Sequence, residues 1–275
     1  MCALIDIKGV VMSSTRYKAI GALFAILAFF AFNACKDDKL VVATAANFAP
    51  FEYVEGKEFK GIDMDIARII AQKLDKKLVI KDMEFDSVVT ALAGGNADIA
   101  ISGLTINQTR AKVIDFSDTY FNASQMLITL SSDTRFDSVR TKEELIALLK
   151  AIPELRIGVQ VGTTGLFYAK GDVDWGFEGF ANASVREFSN GALATIAMKN
   201  HQIDVVIIDE MPARELIRAN SGTKLIEIAL TDEKYAIGIA PNNPKLKDSI
   251  NSILQEIKQD GTLEHIIKAY YAEKK

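Results

Sequence analysis

Three short stretches carry polar groups that could hold a small charged molecule. Arg110 follows Gly103-Leu104-Thr105 at the C-terminal end of the apolar run DIAIS (98–102). Open α/β sheets collect ligands at such strand ends, and a planar guanidinium can grip a carboxylate through two parallel hydrogen bonds. Asp209 ends a second apolar run, DVVIID (204–209), and supplies an anion that could face an ammonium group. Gly162-Thr163-Thr164 stands before Leu166, Phe167 and Ala169. It therefore opens a helix whose first N–H groups lack intrahelical acceptors and can meet an anion. Each feature also has a plain structural reading. By residue type alone, Arg110 is more often a surface arginine than a ligand. Asp209 can cap the turn before Pro212, and the glycine-threonine stretch can be an ordinary helix cap. Asp98 and Asp204 open their strands away from the ligand end and are read as structural.

The elements that must position these residues follow from periodicity. Leu40 to Ala43 is an apolar run suited to a buried parallel strand. Ile62, Ile66, Ile69, Ile70 and Leu74 fall at helical spacing, which predicts an amphipathic helix over 62–75. Leu78 to Ile80 is a strand, Val88, Val89 and Leu92 a short helix ending at Gly94-Gly95, and 98–102 a strand again. This β-α-β-α-β order implies a parallel sheet covered by helices. The order then returns. LRIGVQVGTTG (155–165) lies over LVVATAANFAP (40–50), and TIAMKNHQIDVVIID (195–209) over TALAGGNADIAIS (90–102). Read as a duplication, this weak repeat gives two similar α/β lobes. MLITL (126–130) is a strand between the units, and 141–150 a helix with Thr141 as cap and Glu144 three residues on. YAIGIA (235–240) is followed by helices at 246–257 and 263–271, parted by Asp260-Gly261. A chain that leaves the first lobe near Asn122 and returns near Leu230 links the lobes by two strands, which form a hinge.

The N-terminus bears on location. Arg16 and Lys18 precede AIGALFAILAFFAF (19–32), a run without charge and too short for an ordinary membrane span. Small Ala34 stands before Cys35. Positive flank, short apolar core and small residue describe a secretory signal over 1–35. Met12 is an alternative start to Met1. The only other cysteine, Cys2, lies within the segment to be removed, so no internal disulfide is expected. Removing residues 1–34 takes away Lys8, Arg16, Lys18 and Asp6, which makes the balance more acidic than the −4 of the whole chain. An exported acidic chain is a poor candidate for nucleic-acid binding. Two histidines and no cysteine pair leave little for a metal site, and no cofactor is expected.

Seven segments in order carry a resemblance to a known family: FAPFEY (48–53), GIDMDIA (61–67), ALAGGNADIAISGLTINQTR (91–110), IDFSDTYF (114–121), GVQVGTTG (158–165), DVVIID (204–209) and DGTLEHIIKAYY (260–271). From about Leu40 to Tyr271 the chain resembles the solute-binding proteins of polar amino-acid ABC transporters, the family of the glutamine- and histidine-binding proteins. The resemblance implies a two-lobed periplasmic-binding-protein fold, each lobe a mostly parallel sheet flanked by helices. The expected division is 38–121 with 230–275 as lobe 1 and 122–229 as lobe 2. It also implies roles. Arg110 and Thr164 would hold the carboxylate of a free amino acid. Asp209, with Ser102 or Gly103 and Thr105, would hold its ammonium. Phe48 and Phe85 would pack on the side chain, and Gln160 and Thr163 would complete the pocket. Cys35 resembles a lipobox cysteine, the lipidation site of a bacterial lipoprotein, so anchoring in a membrane is expected outside the cytoplasm, in the periplasm or at the cell surface.

Selectivity is read from what the pocket lacks. Relatives that take basic or amide side chains often carry an acid where this chain has Ala45. Gln160 and Ile208 stand where the glutamine-binding protein has lysine and histidine. The expected ligand therefore has a neutral side chain, polar or moderately apolar, although Glu52 and Asn47 keep a basic one open. The expected function is capture of that amino acid and delivery to a membrane permease, by a monomer and without catalysis. The alternatives are a sensing module and a cyclohexadienyl dehydratase-like enzyme on the same fold. His201 and His265 are expected at the surface, and Trp175, among glycines and aspartates, has no assigned place.

Overall fold

Apolar runs that alternate with amphipathic helices cannot bury their surfaces unless the strands pair and the helices cover them. The computed structural model describes residues 39–272, so the expected signal segment and Cys35 lie outside the described residues. Strand β1 (Lys39–Thr44) leads to a three-stranded meander, β2 (Asn47–Phe48), β3 (Glu52–Glu55) and β4 (Glu58–Lys60). Helix α1 (Ile62–Lys73) follows, turning Ile62, Met64, Ile66, Ala67 and Ile70 into the core. Then come β5 (Lys77–Asp82), α2 (Phe85–Ala93), β6 (Ile99–Ala100), the single turn α3 (Gln108–Ala111) and β7 (Asp115–Ala123). The second half runs β8 (Gln125–Leu130), α4 (Lys142–Ala151), β9 (Leu155–Gln160), α5 (Thr164–Lys170), β10 (Ala183–Phe188), α6 (Gly191–Lys199), β11 (Val205–Asp209), α7 (Glu210–Ala219) and β12 (Thr223–Ile226). The chain ends with β13 (Glu233–Ile239), α8 (Pro244–Gln259) and α9 (Thr262–Ala272).

Two five-stranded sheets result, in the orders β5-β1-β6-β13-β7 and β10-β9-β11-β8-β12. In each, three strands pair in parallel and the fourth runs antiparallel to both of its neighbours. Four of the five strands therefore share one direction, as expected of mostly parallel sheets. The antiparallel strand is in each case one that arrives from the other sheet: β8 directly after β7, and β13 after β12. MLITL thus joins the second sheet rather than standing between two units.

The weak repeat has a physical counterpart. The Val41 N–H donates to Asp98 Oδ2 at 2.7 Å, and the Arg156 N–H to Asp204 Oδ2 at 2.8 Å. In return the Asp98 N–H donates to the Val41 carbonyl and the Asp204 N–H to that of Arg156. Each aspartate clamps the start of its strand to the neighbouring one, at the end remote from the cleft, which is the structural role expected of both. The helix predicted at 141–150 is also present. Thr141 and Glu144 form a reciprocal capping box that satisfies the first N–H groups of α4.

Candidate functional site

The C-terminal ends of the parallel strands in the two sheets face one another, and the residues that extend beyond them enclose a small cavity. Its lining is Phe48, Phe85, Gly103, Thr105, Arg110, Gln160, Thr163, Thr164 and Asp209. Nine of the ten expected ligand-binding residues are thus brought together from both halves of the chain. Ser102 is the exception. It is fully buried beside the cavity rather than in its wall, where its hydroxyl donates to Glu52 Oε1 at 2.7 Å and accepts from the Ala45 N–H at 3.0 Å. Beyond the end of β6 the backbone bends, with Gly103 at φ +50°, and Ser102 just before it stays on the buried side.

Arg110 is held by the short segment after β6. Asn107 caps α3 by accepting from the Arg110 N–H at 2.7 Å. Arg110 is 7% exposed, which sets aside the surface reading. It donates from Nη1 to the Thr105 carbonyl at 2.7 Å and from Nη2 across the cleft to the Gly162 carbonyl at 3.0 Å. Burial lowers its pKa to about 10, opposed by the charges of Glu233 and Asp209, so it stays a cation at neutral pH. Among the described residues no carboxylate is hydrogen-bonded to it, so part of its donor set remains for a ligand anion. Gly103 adopts φ +50°, and a Cβ there would come within 3.1 Å of the Phe48 ring and 3.2 Å of the Tyr235 ring. Glycine is what lets both rings close on this strand end.

From the other sheet, Asp209 occupies the position before α7, but its side chain makes no capping hydrogen bond. It instead accepts from the Tyr235 hydroxyl, which removes the plain capping reading. Burial, then the nearby charge of Glu233, pushes its carboxyl up to about 7. Thr163 occupies the position before α5 but makes no capping hydrogen bond and instead donates to the Gln160 carbonyl at 2.7 Å, while Thr164 Oγ1 reaches Thr105 Oγ1 across the cleft at 3.3 Å. Gln160 is 2% exposed, and its Oε1 has no hydrogen-bond partner. A buried acceptor facing a cavity unpaired is costly and marks where a ligand donor fits.

Three residues escaped the sequence reading. Tyr235 holds Asp209, and its own ring packs on Phe51 and Phe121. Glu233 is 5% exposed and accepts from Thr105 Oγ1 at 2.7 Å, Thr231 Oγ1 at 2.6 Å and Gln125 Nε2 at 3.1 Å. Its signal was an acid opening the apolar strand YAIGIA, but nothing local links it to Asp209. Trp175 lies beside the Arg110 guanidinium. Two weaker expectations give way. Glu52 is fully buried against Ser102 and Asp63, with its carboxyl pushed well above the usual range by burial and then by Asp63. Asn47 is exposed, and neither lines the cavity. Ala45 and Ile208 are buried outside its wall. Both histidines are exposed and away from the cavity.

Comparison with known proteins bears on the whole of this arrangement. Residues 40–273 match the family described as bacterial extracellular solute-binding proteins, family 3. The arginine-binding extracellular protein ArtP of Bacillus subtilis (strain 168) is 28% identical over 239 residues, spanning 86% of this chain and 88% of that protein. An ancestral arginine-binding protein solved with glutamine bound is 32% identical, with a TM-score of 0.72, over 85% of this chain and 98% of that one. The ancestral amino-acid-binding protein AncCDT-1, a precursor of cyclohexadienyl dehydratase, is 27% identical, with a TM-score of 0.75, over 86% of this chain and 97% of that one.

Proposed function

Because the chain belongs to the bacterial extracellular solute-binding proteins, family 3, we propose that it captures free L-arginine between its two lobes and hands it to the permease of an ABC transporter. Amino-acid binding for such a transporter is the function of the chain. The proposal concerns the ligand, the residues and the anchor. Arg110 and Thr164 take the α-carboxylate. Asp209, with Gly103 and Thr105, takes the ammonium. Phe48 and Phe85 flank the side chain, Gln160 Oε1 accepts from its N–H groups, and Thr163 holds the Gln160 backbone. Residues 38–121 with 230–275 act as one lobe and 122–229 as the other, with Cys35 as the lipid-bearing residue of a monomer outside the cytoplasm.

One observation carries the choice of a cationic side chain. Two buried acids, Asp209 and Glu233, act on one buried guanidinium, Arg110. The zwitterionic part of any amino acid adds no net charge, so the site keeps an excess of acid that a second cation would balance. The neutral side chain expected from Ala45 is revised for this reason: Glu233, whose charge acts on Arg110 and Asp209 from behind the cavity wall, adds an acid that the first loop lacks. The relatives named for arginine support the same reading. Calorimetry with L-arginine and its neutral isostere L-citrulline tests it. Arginine should bind at least about tenfold tighter, as expected when a buried charge loses its partner. Equal or tighter citrulline binding would return the site to a neutral ligand.

A further inference from the structure

The chain's single tryptophan, Trp175, is on a hairpin between α5 and β10 that the roles above leave unused. Asp172 and Phe177 exchange two backbone hydrogen bonds of 2.9 Å, and the Trp175 N–H donates to Asp172 Oδ1 at 3.1 Å. At the base, a Cβ on Gly179 would lie 2.4 Å from the Gly171 nitrogen, so the two arms meet backbone to backbone. The indole stacks on Phe167 (centroids 5.5 Å apart, 22° between planes) and on Phe177 (5.6 Å, 32°). It is a braced ring, not a loose one.

This hairpin belongs to the second sheet's half of the chain, yet it grips the first. Asp174 accepts from Lys112 Nζ at 3.0 Å and from Thr109 Oγ1 at 3.1 Å. Those residues bracket Arg110 on α3. The Arg110 Cζ is 5.8 Å from the Trp175 centroid and 5.5 Å from that of Phe85. An aromatic face stabilises a buried guanidinium without occupying any of its N–H donors, whereas a carboxylate counter-ion would consume them. A cation held by rings keeps its donors for an incoming anion.

We propose that Trp175 is a positioning residue of the α-carboxylate subsite: with Phe85 it fixes the Arg110 guanidinium, and Asp174 ties the hairpin to α3 so that the ring meets Arg110 as the cleft closes. The proposal rests on the reading of Arg110 as the carboxylate anchor. Its test compares L-arginine with L-argininamide, which lacks the carboxylate charge, on the full chain and on Trp175→Leu, Trp175→Phe and Asp174→Asn. Trp175→Leu should weaken L-arginine about tenfold and L-argininamide less than about threefold, so that discrimination between them shrinks, while Trp175→Phe stays within about threefold of wild type. Asp174 is exposed, so folding is not at stake in Asp174→Asn. Stopped-flow tryptophan fluorescence should show L-arginine leaving it about two- to threefold faster, the scale of one surface ion pair. Equal loss of both ligands in Trp175→Leu, or an unchanged release rate in Asp174→Asn, would overturn the role of the hairpin. Wild-type protein that binds none of the twenty amino acids would instead overturn the amino-acid reading, and this proposal with it.

Discussion

Asp209 is a site residue whose chemistry departs far from its ordinary behaviour. Burial and the neighbouring Glu233 charge hold its carboxyl at about 7, so below that pH it is largely protonated before ligand arrives. An ammonium placed against it favours the ionised form and lowers its pKa. The ligand-bound pKa is then below the free one, so binding releases a proton in the window beneath pH 7. Affinity is complete above that window and falls as pH drops through it. We expect affinity to fall about tenfold between pH 7.5 and 5.5. Calorimetry at pH 6 in two buffers of different ionisation enthalpy should show proton release that vanishes at pH 8 and in Asp209→Asn. Pairwise proximity is the part of this that escapes a reading of the sequence. Arg110 and Asp209 could each be picked out by type and strand-end position, whereas Glu233 and Tyr235 act on Asp209 only because β13 returns beside β6 and β7.

At the scale of elements, periodicity and caps located part of the framework. The helix at α1 and the strands β1, β5 and β9 lie where the apolar spacing puts them, because each buries one face against its own sheet. Helix α4 shows what the local signals contribute. Its first turn is closed by Thr141 and Glu144 in both directions. Removing the cap by Thr141→Ala should cost about 1 kcal/mol. For a chain of this size that lowers Tm by about 2–4 °C in a thermal melt. Since Thr141 lies outside the cavity wall, ligand affinity should stay unchanged in the same variant. The hairpin carrying Trp175 was one of the elements without a signal: its brace is a set of ring contacts between residues of which only Phe167 lies in a helix.

For the molecule as a whole, closure is a joint property of two sheets that are joined by the passages from β7 to β8 and from β12 to β13. Hydrogen bonds from Arg110 to Gly162, Thr164 to Thr105 and Tyr235 to Asp209 cross between them. A ligand held by both halves stabilises only the folded, closed arrangement. Added at about a hundred times its Kd it should contribute about 2.7 kcal/mol by mass action. Differential scanning fluorimetry against the twenty amino acids should therefore show a rise in Tm that saturates with ligand concentration, largest for L-arginine. A rise of equal size for all of them would contradict a specific cleft.

Burial periodicity and residue type, which are local properties, were enough to read the alternating strands and helices and to pick out Arg110, Asp209 and the glycine-threonine stretch at strand ends, while the resemblance to a family added the two-lobed fold and the other expected residues that gather at the cavity. The tertiary structure alone decided that Ser102 turns inward, that Ala45 and Glu52 stay out of the wall, that Glu233 adds a second acid, and that Trp175 reaches Arg110. Each of those depends on which face of a strand meets the cleft, or on segments far apart in the chain being brought side by side. Charge balance in the site, and with it the choice between a neutral and a cationic ligand, is a sum over such neighbours and has no counterpart in any single stretch of residues.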